Sequence, residues 1–401
     1  MRQMERLLGK KKITALLFLA FLFGFAVLNA KKELPILQDA LTSWRESGGT
    51  PAELIAQIGS AIDENVAEKY TFIDAYGYIQ LILGKEEESN FEVVKDHAGK
   101  LYYTYFTTEI NDVSEEAEKT KNLADAAAES GATLIYVMPP EKYIHGFTEF
   151  STGIPYNMAN ETADDFLDRL DGLGVDYIDL RDYLDTSGIP MSEVFYNTDH
   201  HWKIQTAFWA SSQFCDILEE RYGEILDPDD YYSNLEHYNV IIYDDIFLGS
   251  MGRKTGRFYT EVDDFTLIYP KFTTDYSYEN SISGDLVFTG RFEEALLATP
   301  VIRQSSQPFD TDMYGIYLYG NPAYTHIENK DHPDGLRICV IKDSFAVPFS
   351  AFTSLRVNTV DLIDPRFYEE DYYETIQNGD YDYVVLMFSP ENIVEEFFPW
   401  E

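Results

Sequence analysis

Two short stretches of this 401-residue chain hold side chains whose types and spacing suit covalent chemistry. In Asn197-Thr198-Asp199-His200-His201-Trp202 a carboxylate and two imidazoles occupy consecutive positions at a loop-to-helix junction. In Lys342-Asp343-Ser344-Phe345-Ala346 a hydroxyl follows the apolar run 336–341 (LRICVI). A serine on the turn leaving a parallel strand lies at the carboxyl edge of the sheet, where α/β folds gather reactive groups. If a helix follows, its first amides stabilise a developing oxyanion. A serine hydroxyl is a weak nucleophile and needs a base. His200 or His201 can take its proton while Asp199 orients the imidazole. Plainer roles compete for the same residues. Ser344 and Asp199 can each cap the helix that follows. His200 and His201 can be satisfied loop residues or, with Asp199, metal ligands. A zinc site needs a further ligand, and His97, His145, His237, His326 and His332 form no HxH or HxxxH pair, so neither metal nor cofactor is expected.

An α/β sheet must position these groups. Helical spacing runs through residues 33–95, with Leu54, Ile55, Ile58, Ile62 and Val66 following a start at Pro51. A short aromatic strand is predicted over 101–107, then a charged helix over 113–131 and a buried strand over 133–138 that Pro139-Pro140 ends. A helix through 166–173 leads to a second strand over 175–180, and another helix covers 203–222. Helix then strand, repeated with short turns, implies parallel crossovers. Residues 228–330 change character, with short alternating runs and Gly249, Gly252, Gly256 and Gly284, and read as a β-rich insertion. Buried strands resume at 336–342, 358–363 and 383–388. Expected domains are therefore a helical region at 31–100, two half-domains at 101–227 and 331–401, and the insertion between them.

Composition narrows the partners. The chain has 30 Lys+Arg against 70 Asp+Glu, a net charge of -40. Residues 1–30 are locally basic through Arg2, Arg6, Lys10, Lys11 and Lys12, so the body is more acidic still. A body of that sign repels phosphate backbones, and no nucleic-acid partner is expected. The basic head at 1–12 precedes an apolar run from Ile13 to Leu28. A transmembrane anchor over 13–30 is the favoured reading, with Lys31 and Lys32 snorkelling at its end. The positive-inside rule keeps the head cytoplasmic and puts residues 33–401 outside. A cleaved signal with Ala30 before the cut is the alternative, which bulky Leu28 disfavours. Cys215 and Cys339 lie in no CxxC pair, and Cys339 sits in an apolar strand-like run; buried, inert thiols are expected, with a disulfide left open.

The stretch Tyr196–Trp202 (YNTDHHW) resembles the signature of the DHHW protein family. In order along the chain, 72–84 (FIDAYGYIQLILG), 136–142 (YVMPPEK), 247–256 (FLGSMGRKTG) and 337–346 (RICVIKDSFA) fit the same family. That family is similar to the SGNH-hydrolase-like alginate O-acetyltransferases, in which an Asp-x-His-Trp motif precedes a C-terminal Ser. The resemblance implies a circularly permuted SGNH-like sheet and a triad of Ser344 as nucleophile, His201 as base and Asp199 as orienter. His200 and Trp202 would support the loop. It also implies Gly and Asn oxyanion donors, for which Gly320-Asn321 and Asn392 are the candidates. Lys342 departs from the pattern, standing where Gly is usual; either it perturbs the oxyanion geometry or its side chain turns outward. Lys142, at the end of another strand, faces the same cleft or is solvated.

The expected function is acetyl transfer onto hydroxyls of a cell-envelope polysaccharide, with a membrane-bound O-acyltransferase as the donor partner. The same site with water as acceptor is an acetylesterase. A non-catalytic polysaccharide-binding or scaffold protein is the rival that Lys342 favours. A metal phosphoesterase reading of Asp199-His200-His201 finds no upstream Asp-x-Asp.

Overall fold

The computed structural model describes residues 2–282, 284, 286–304, 309 and 311–400. Met1 of the basic head, Glu401, and positions 283, 285, 305–308 and 310 of the expected insertion lie outside them. The chain divides into two units, Met1–Tyr76 and Gly77–Glu401.

In the first unit one helix runs unbroken over Arg2–Ser47, through Pro35. Its Lys10–Arg45 portion is long and apolar enough to cross a membrane. A second helix, Pro51–Asn65, starts where the sequence expects it. Pro51 occupies its first turn, and Thr50 and Glu53 close a capping box that satisfies two otherwise orphaned amides. A third helix, Lys69–Ile82, leads into the second unit. Helical structure ends there, short of the expected residue 95. Gly84 takes φ +67, and Ser89, Asn90 and Phe91 all adopt positive φ, a turn that a helix cannot absorb. Strands β1 (Glu87–Glu88), β2 (Val93–Lys95) and β3 (Leu101–Tyr103) form a small antiparallel sheet instead.

The main sheet uses β4 (Thr133–Met138), β5 (Asp176–Asp179), β8 (Tyr276–Asn280), β9 (Phe288–Gly290), β10 (Tyr324–Asn329), β11 (Arg337–Lys342), β12 (Thr359–Ile363) and β13 (Tyr383–Met387). Their spatial order is β5-β4-β13-β11-β12-β10-β8-β9. The run from β5 to β12 is parallel, and β10, β8 and β9 continue it antiparallel. Parallel strands are covered on both faces, which explains their unbroken apolar runs. Ile135, Val137, Ile338, Val340 and Val385 point into one core, packed by the helix Ile204–Tyr222. Leu134, Tyr136, Ile341, Val384 and Leu386 point into the other, with the helices Ser114–Glu129 and Ala159–Leu173. Both cysteines are buried and free.

The β-rich stretch splits into two parts. Strands β6 (Tyr238–Phe247) and β7 (Asp263–Pro270) make a separate two-stranded ribbon. β8 to β10 extend the main sheet, with Tyr324 pairing Ile363 across to β12. The carboxyl ends of β4, β11 and β13 meet at one edge, and the candidate residues gather there.

Candidate active site

Ser344 sits half-buried on the turn between β11 and the helix Ala346–Thr353. Fully buried Asp343 fixes that turn. Its Oδ1 accepts from the Phe345 amide at 2.9 Å, while its Oδ2 accepts from the Ser389 amide at 2.7 Å and from Asn392 Nδ2 at 2.8 Å. The turn after β11 is thereby tied to the segment after β13. Phe345, not Ser344, holds the capping position of the helix, so the serine hydroxyl is free of that duty. It meets His201 Nε2 at 2.6 Å.

His201 in turn places Nδ1 2.6 Å from Asp199 Oδ1. A carboxylate accepts only, so the Nδ1 proton points at Asp199 and leaves Nε2 to accept from the Ser344 hydroxyl. Asp199 is nearly buried, and both its oxygens are matched. Oδ1 also accepts from the His201 amide at 3.0 Å, and Oδ2 accepts from the Ser250 amide at 2.7 Å. Burial alone would raise this carboxyl. The neighbouring His201 and His200 and the hydrogen bonds from His201 and Ser250 outweigh it, holding Asp199 well below the usual carboxylate range.

The loop that carries Asp199 is held from three sides. Lys142 Nζ donates to the carbonyls of Asn197 and Asp199 at 3.1 and 2.7 Å. Asp263, at the start of β7, accepts from the Asn197 and Thr198 amides at 2.6 and 2.7 Å and from the Thr198 hydroxyl at 2.6 Å. The helix Ser250–Thr255 presses against it through glycines. A Cβ on Gly249 would lie 2.2 Å from Asp199 Cβ, and one on Gly252 would lie 2.7 Å from Thr198 Cβ. Only a residue without a side chain admits that approach. Tyr314 stacks on the His201 ring, 3.8 Å between centroids and 12° between planes. Buried Trp202 donates its Nε1 proton to the Tyr314 hydroxyl at 3.0 Å.

The sequence-predicted residues fall into two groups. The structure brings Asp199, His201 and Ser344 into one hydrogen-bonded row, with Trp202 bracing it. His200 lies beside the row, its Nδ1 3.3 Å from the Ser250 hydroxyl and its ring on the adjoining pocket. Burial, then the neighbouring His201, push its pKa down. Asp199, His200 and His201 also offer three potential ligand atoms within 4.8 Å of one another, a cluster in which Asp199 Oδ1 and both His201 nitrogens already serve the row. Lys142 is buried rather than solvated, and desolvation lowers its pKa to about 7.

The oxyanion candidates flank the turn that carries Ser344. Asn392 holds Asp343, and Asn321 Oδ1 accepts from Lys342 Nζ at 2.6 Å. Lys342 itself turns neither outward nor toward Ser344. It is buried and pairs at 3.0 Å with Asp364, which Arg366 also grips. An ion pair with added hydrogen bonds meets the cost of burying both charges. Sequence reasoning missed Asp263, Tyr314 and Asp343. An acid directly before the nucleophile was the one available signal.

Residues 100–234 match the family model described as an SGNH hydrolase-like domain of acetyltransferase AlgX. Residues 189–362 match the model of the DHHW protein. The two overlap across Asp199 and His201. No curated protein matches the chain. Among solved structures, PatB1 of Bacillus cereus aligns with a TM-score of 0.62 at 20% identity, covering 77% of this chain and 99% of its own. A DHHW family protein from Eubacterium siraeum DSM 15702 aligns with a TM-score of 0.59 at 16% identity, covering 78% and 96%. At such identities the likeness to these structures is one of fold. The DHHW resemblance thus rests on a family match over residues 189–362, set in a mixed α/β SGNH-hydrolase-like fold.

Proposed function

We propose that this protein transfers an acyl group, acetyl by preference, to hydroxyls of a cell-envelope polysaccharide outside the cytoplasm. The observation that carries this reading is the row Asp199–His201–Ser344, with 2.6 Å at each junction. Ser344 Oγ attacks the acyl carbonyl of a donor while His201 Nε2 takes its proton. That proton passes to the departing donor group, leaving an acyl-Ser344 ester. An acceptor hydroxyl then gives its proton to His201 Nε2 and attacks the ester; the acyl group moves to the acceptor, and Ser344 regains its proton. Asp199 stabilises the imidazolium that forms in each half-reaction. Water in the acceptor's place makes the same site an esterase. The AlgX match supports acetyl as the group transferred. The Lys10–Arg45 helix supports attachment to the membrane, where a membrane-bound O-acyltransferase would supply the acyl group.

An activated acetyl ester should add one acetyl mass to Ser344 in the purified protein and none to Ser344→Ala. Equal labelling of both would place the nucleophile elsewhere. In intact cells, added protease should remove a C-terminal tag; a protected tag would overturn the outward orientation.

A further inference from the structure

The loop that carries Asp199 borders a second cavity, of about 550 Å³, which the reaction above does not use. Asn197 lines it from the loop side, and Lys95, Arg257, Leu81 and Phe258 line it elsewhere. Glu261 is the one acid among the described lining residues. Two cations against one acid is unusual in a chain with 70 acidic and 30 basic residues. The local sequence carries the same bias: Arg253, Lys254 and Arg257 fall within five positions, and no acid stands between Asp245 and Glu261. Lys95 Nζ lies 4.0 Å above the Tyr259 ring, and the Arg257 guanidinium lies 5.4 Å from the Phe258 ring centroid. Both cations therefore rest on aromatic faces at the mouth of an open cavity.

An apolar face adjoins this cavity. Tyr78, Ile79, Ile82 and Leu83 share one side of the helix Lys69–Ile82 and its next residue, and all are exposed, Ile82 and Leu83 by 66% and 65%. Phe258 is also exposed and meets the Tyr78 ring edge-on at 6.3 Å, which joins the helix face to the cavity wall. The end of the helix sits tightly on its support, since a Cβ on Gly77 would lie 1.9 Å from the Thr255 carbonyl oxygen. Thr255 ends the helix whose Ser250 amide holds Asp199. Aromatic and aliphatic side chains flanked by Lys and Arg are the composition of a surface that lies in a membrane interface. Long basic side chains there keep their charge among the headgroups while their stems lie along apolar surface. The chain upstream supplies the reason such a surface can work here. A body tethered by the Lys10–Arg45 helix meets the bilayer at high effective concentration, so a modest patch suffices.

We propose that this face docks on the outer surface of the membrane, with Tyr78, Ile79, Ile82, Leu83 and Phe258 in the headgroup layer and the Lys95–Arg257 cavity taking the phosphate of an anionic phospholipid. The inference rests on the reading that the Lys10–Arg45 helix anchors the chain with its body outside, and it is independent of the transferase chemistry. The Asp199 loop is then built directly on the docked face, which holds the catalytic row at a fixed distance from the bilayer.

Full-length protein in nanodiscs tests this, with phosphatidylcholine alone or mixed with phosphatidylglycerol. An environment-sensitive fluorophore on Ile82→Cys reports on the face. One on Ile225→Cys is the control: Ile225 is 68% exposed and follows Glu224, which accepts from the Tyr383 hydroxyl at the amino end of β13. Cys215 and Cys339 are buried, so each label goes to the introduced thiol. In discs with phosphatidylglycerol the Ile82 label should shift to the blue and be quenched by nitroxide-bearing lipid, while the Ile225 label should do neither. Quenching should weaken in phosphatidylcholine alone. Arg257→Gln should move the docked–free equilibrium about fivefold toward free, the effect of one cation beside an anionic surface. An Ile82 label quenched no more than the Ile225 label, or equally in the two lipids, would overturn the inference. So would an unchanged equilibrium in folded Arg257→Gln, or a blue shift without quenching, which would mean that protein covers the face. If Arg257→Gln does not fold, the comparison of the two lipids decides alone. A chain that leaves the discs sinks the anchor and the docked face together; an anchored chain whose Ile82 label stays unquenched sinks the face only. Neither result bears on Ser344 labelling, which judges the transferase reading by itself.

Discussion

Around Asp199 both carboxylate oxygens are matched, Oδ1 by His201 and Oδ2 by the Ser250 amide. Around Glu141, on the adjoining pocket wall, Oε2 is buried without a partner among the described residues. Hydrogen bonds and imidazoles hold the first carboxyl well below the usual carboxylate range; burial and a second acid push the other well above it. The contrast sets a carboxyl matched on both oxygens beside one that is not. A charge that must steady an imidazolium is fixed before any ligand arrives, since preorganised groups need no rearrangement during reaction.

The sharpest way to break this contrast is on the committed side. His201→Ala removes the base, and Asp199→Asn lets the imidazole adopt the wrong tautomer. Each should slow Ser344 acylation on the order of 10³–10⁴-fold, the scale of losses in serine triads. Stopped-flow acylation with an activated acetyl ester reads this directly. A folded Asp199→Asn variant within tenfold of wild type would remove Asp199 from the mechanism.

A smaller loss should follow from Gly249→Ala, which touches none of the reacting atoms. Its new methyl would overlap Asp199 at 2.2 Å, so either the loop or the helix Ser250–Thr255 must shift. Displacing a catalytic group by about 1 Å can cost around 10²-fold. Gly172→Ala is the control, because nothing lies within 4 Å of its added Cβ. A folded Gly249→Ala variant that acylates like the control would show that Asp199 is not pinned by this helix.

These two substitutions also mark what the sequence made legible. Asp199, Ser344 and a histidine pair could be singled out because reactive residue types stood at a strand end and a loop junction, while the choice of His201 over His200 came from the DHHW resemblance; the buried parallel strands showed as unbroken apolar runs. Residue type did not reveal direction. Lys342 and Lys142 both lie at strand carboxyl ends, yet one pairs with Asp364 and the other holds two carbonyls. Asp263 reaches the loop from 65 residues away, which no local pattern encodes. The extra strands β8 to β10 read as an insertion because pairing between β10 and β12 is set by tertiary packing, not by their own periodicity.

The smallest effect is expected at His200, and it divides the triad from a metal site. His200 contacts the row from the side, its Nδ1 lying 3.3 Å from the Ser250 hydroxyl and 3.6 Å from Asp199 Oδ1. Losing a hydrogen bond of that kind costs about 1 kcal/mol, so His200→Ala should reduce acylation less than about tenfold. If a metal held by Asp199, His200 and His201 were the agent, each ligand's loss would be equally severe. A chelator would then silence the wild type as well. Turnover of an acetyl ester by His200→Ala and His201→Ala, with and without chelator, separates the cases. Equal loss at both histidines with chelator sensitivity would overturn the Asp199–His201–Ser344 row as the catalytic unit.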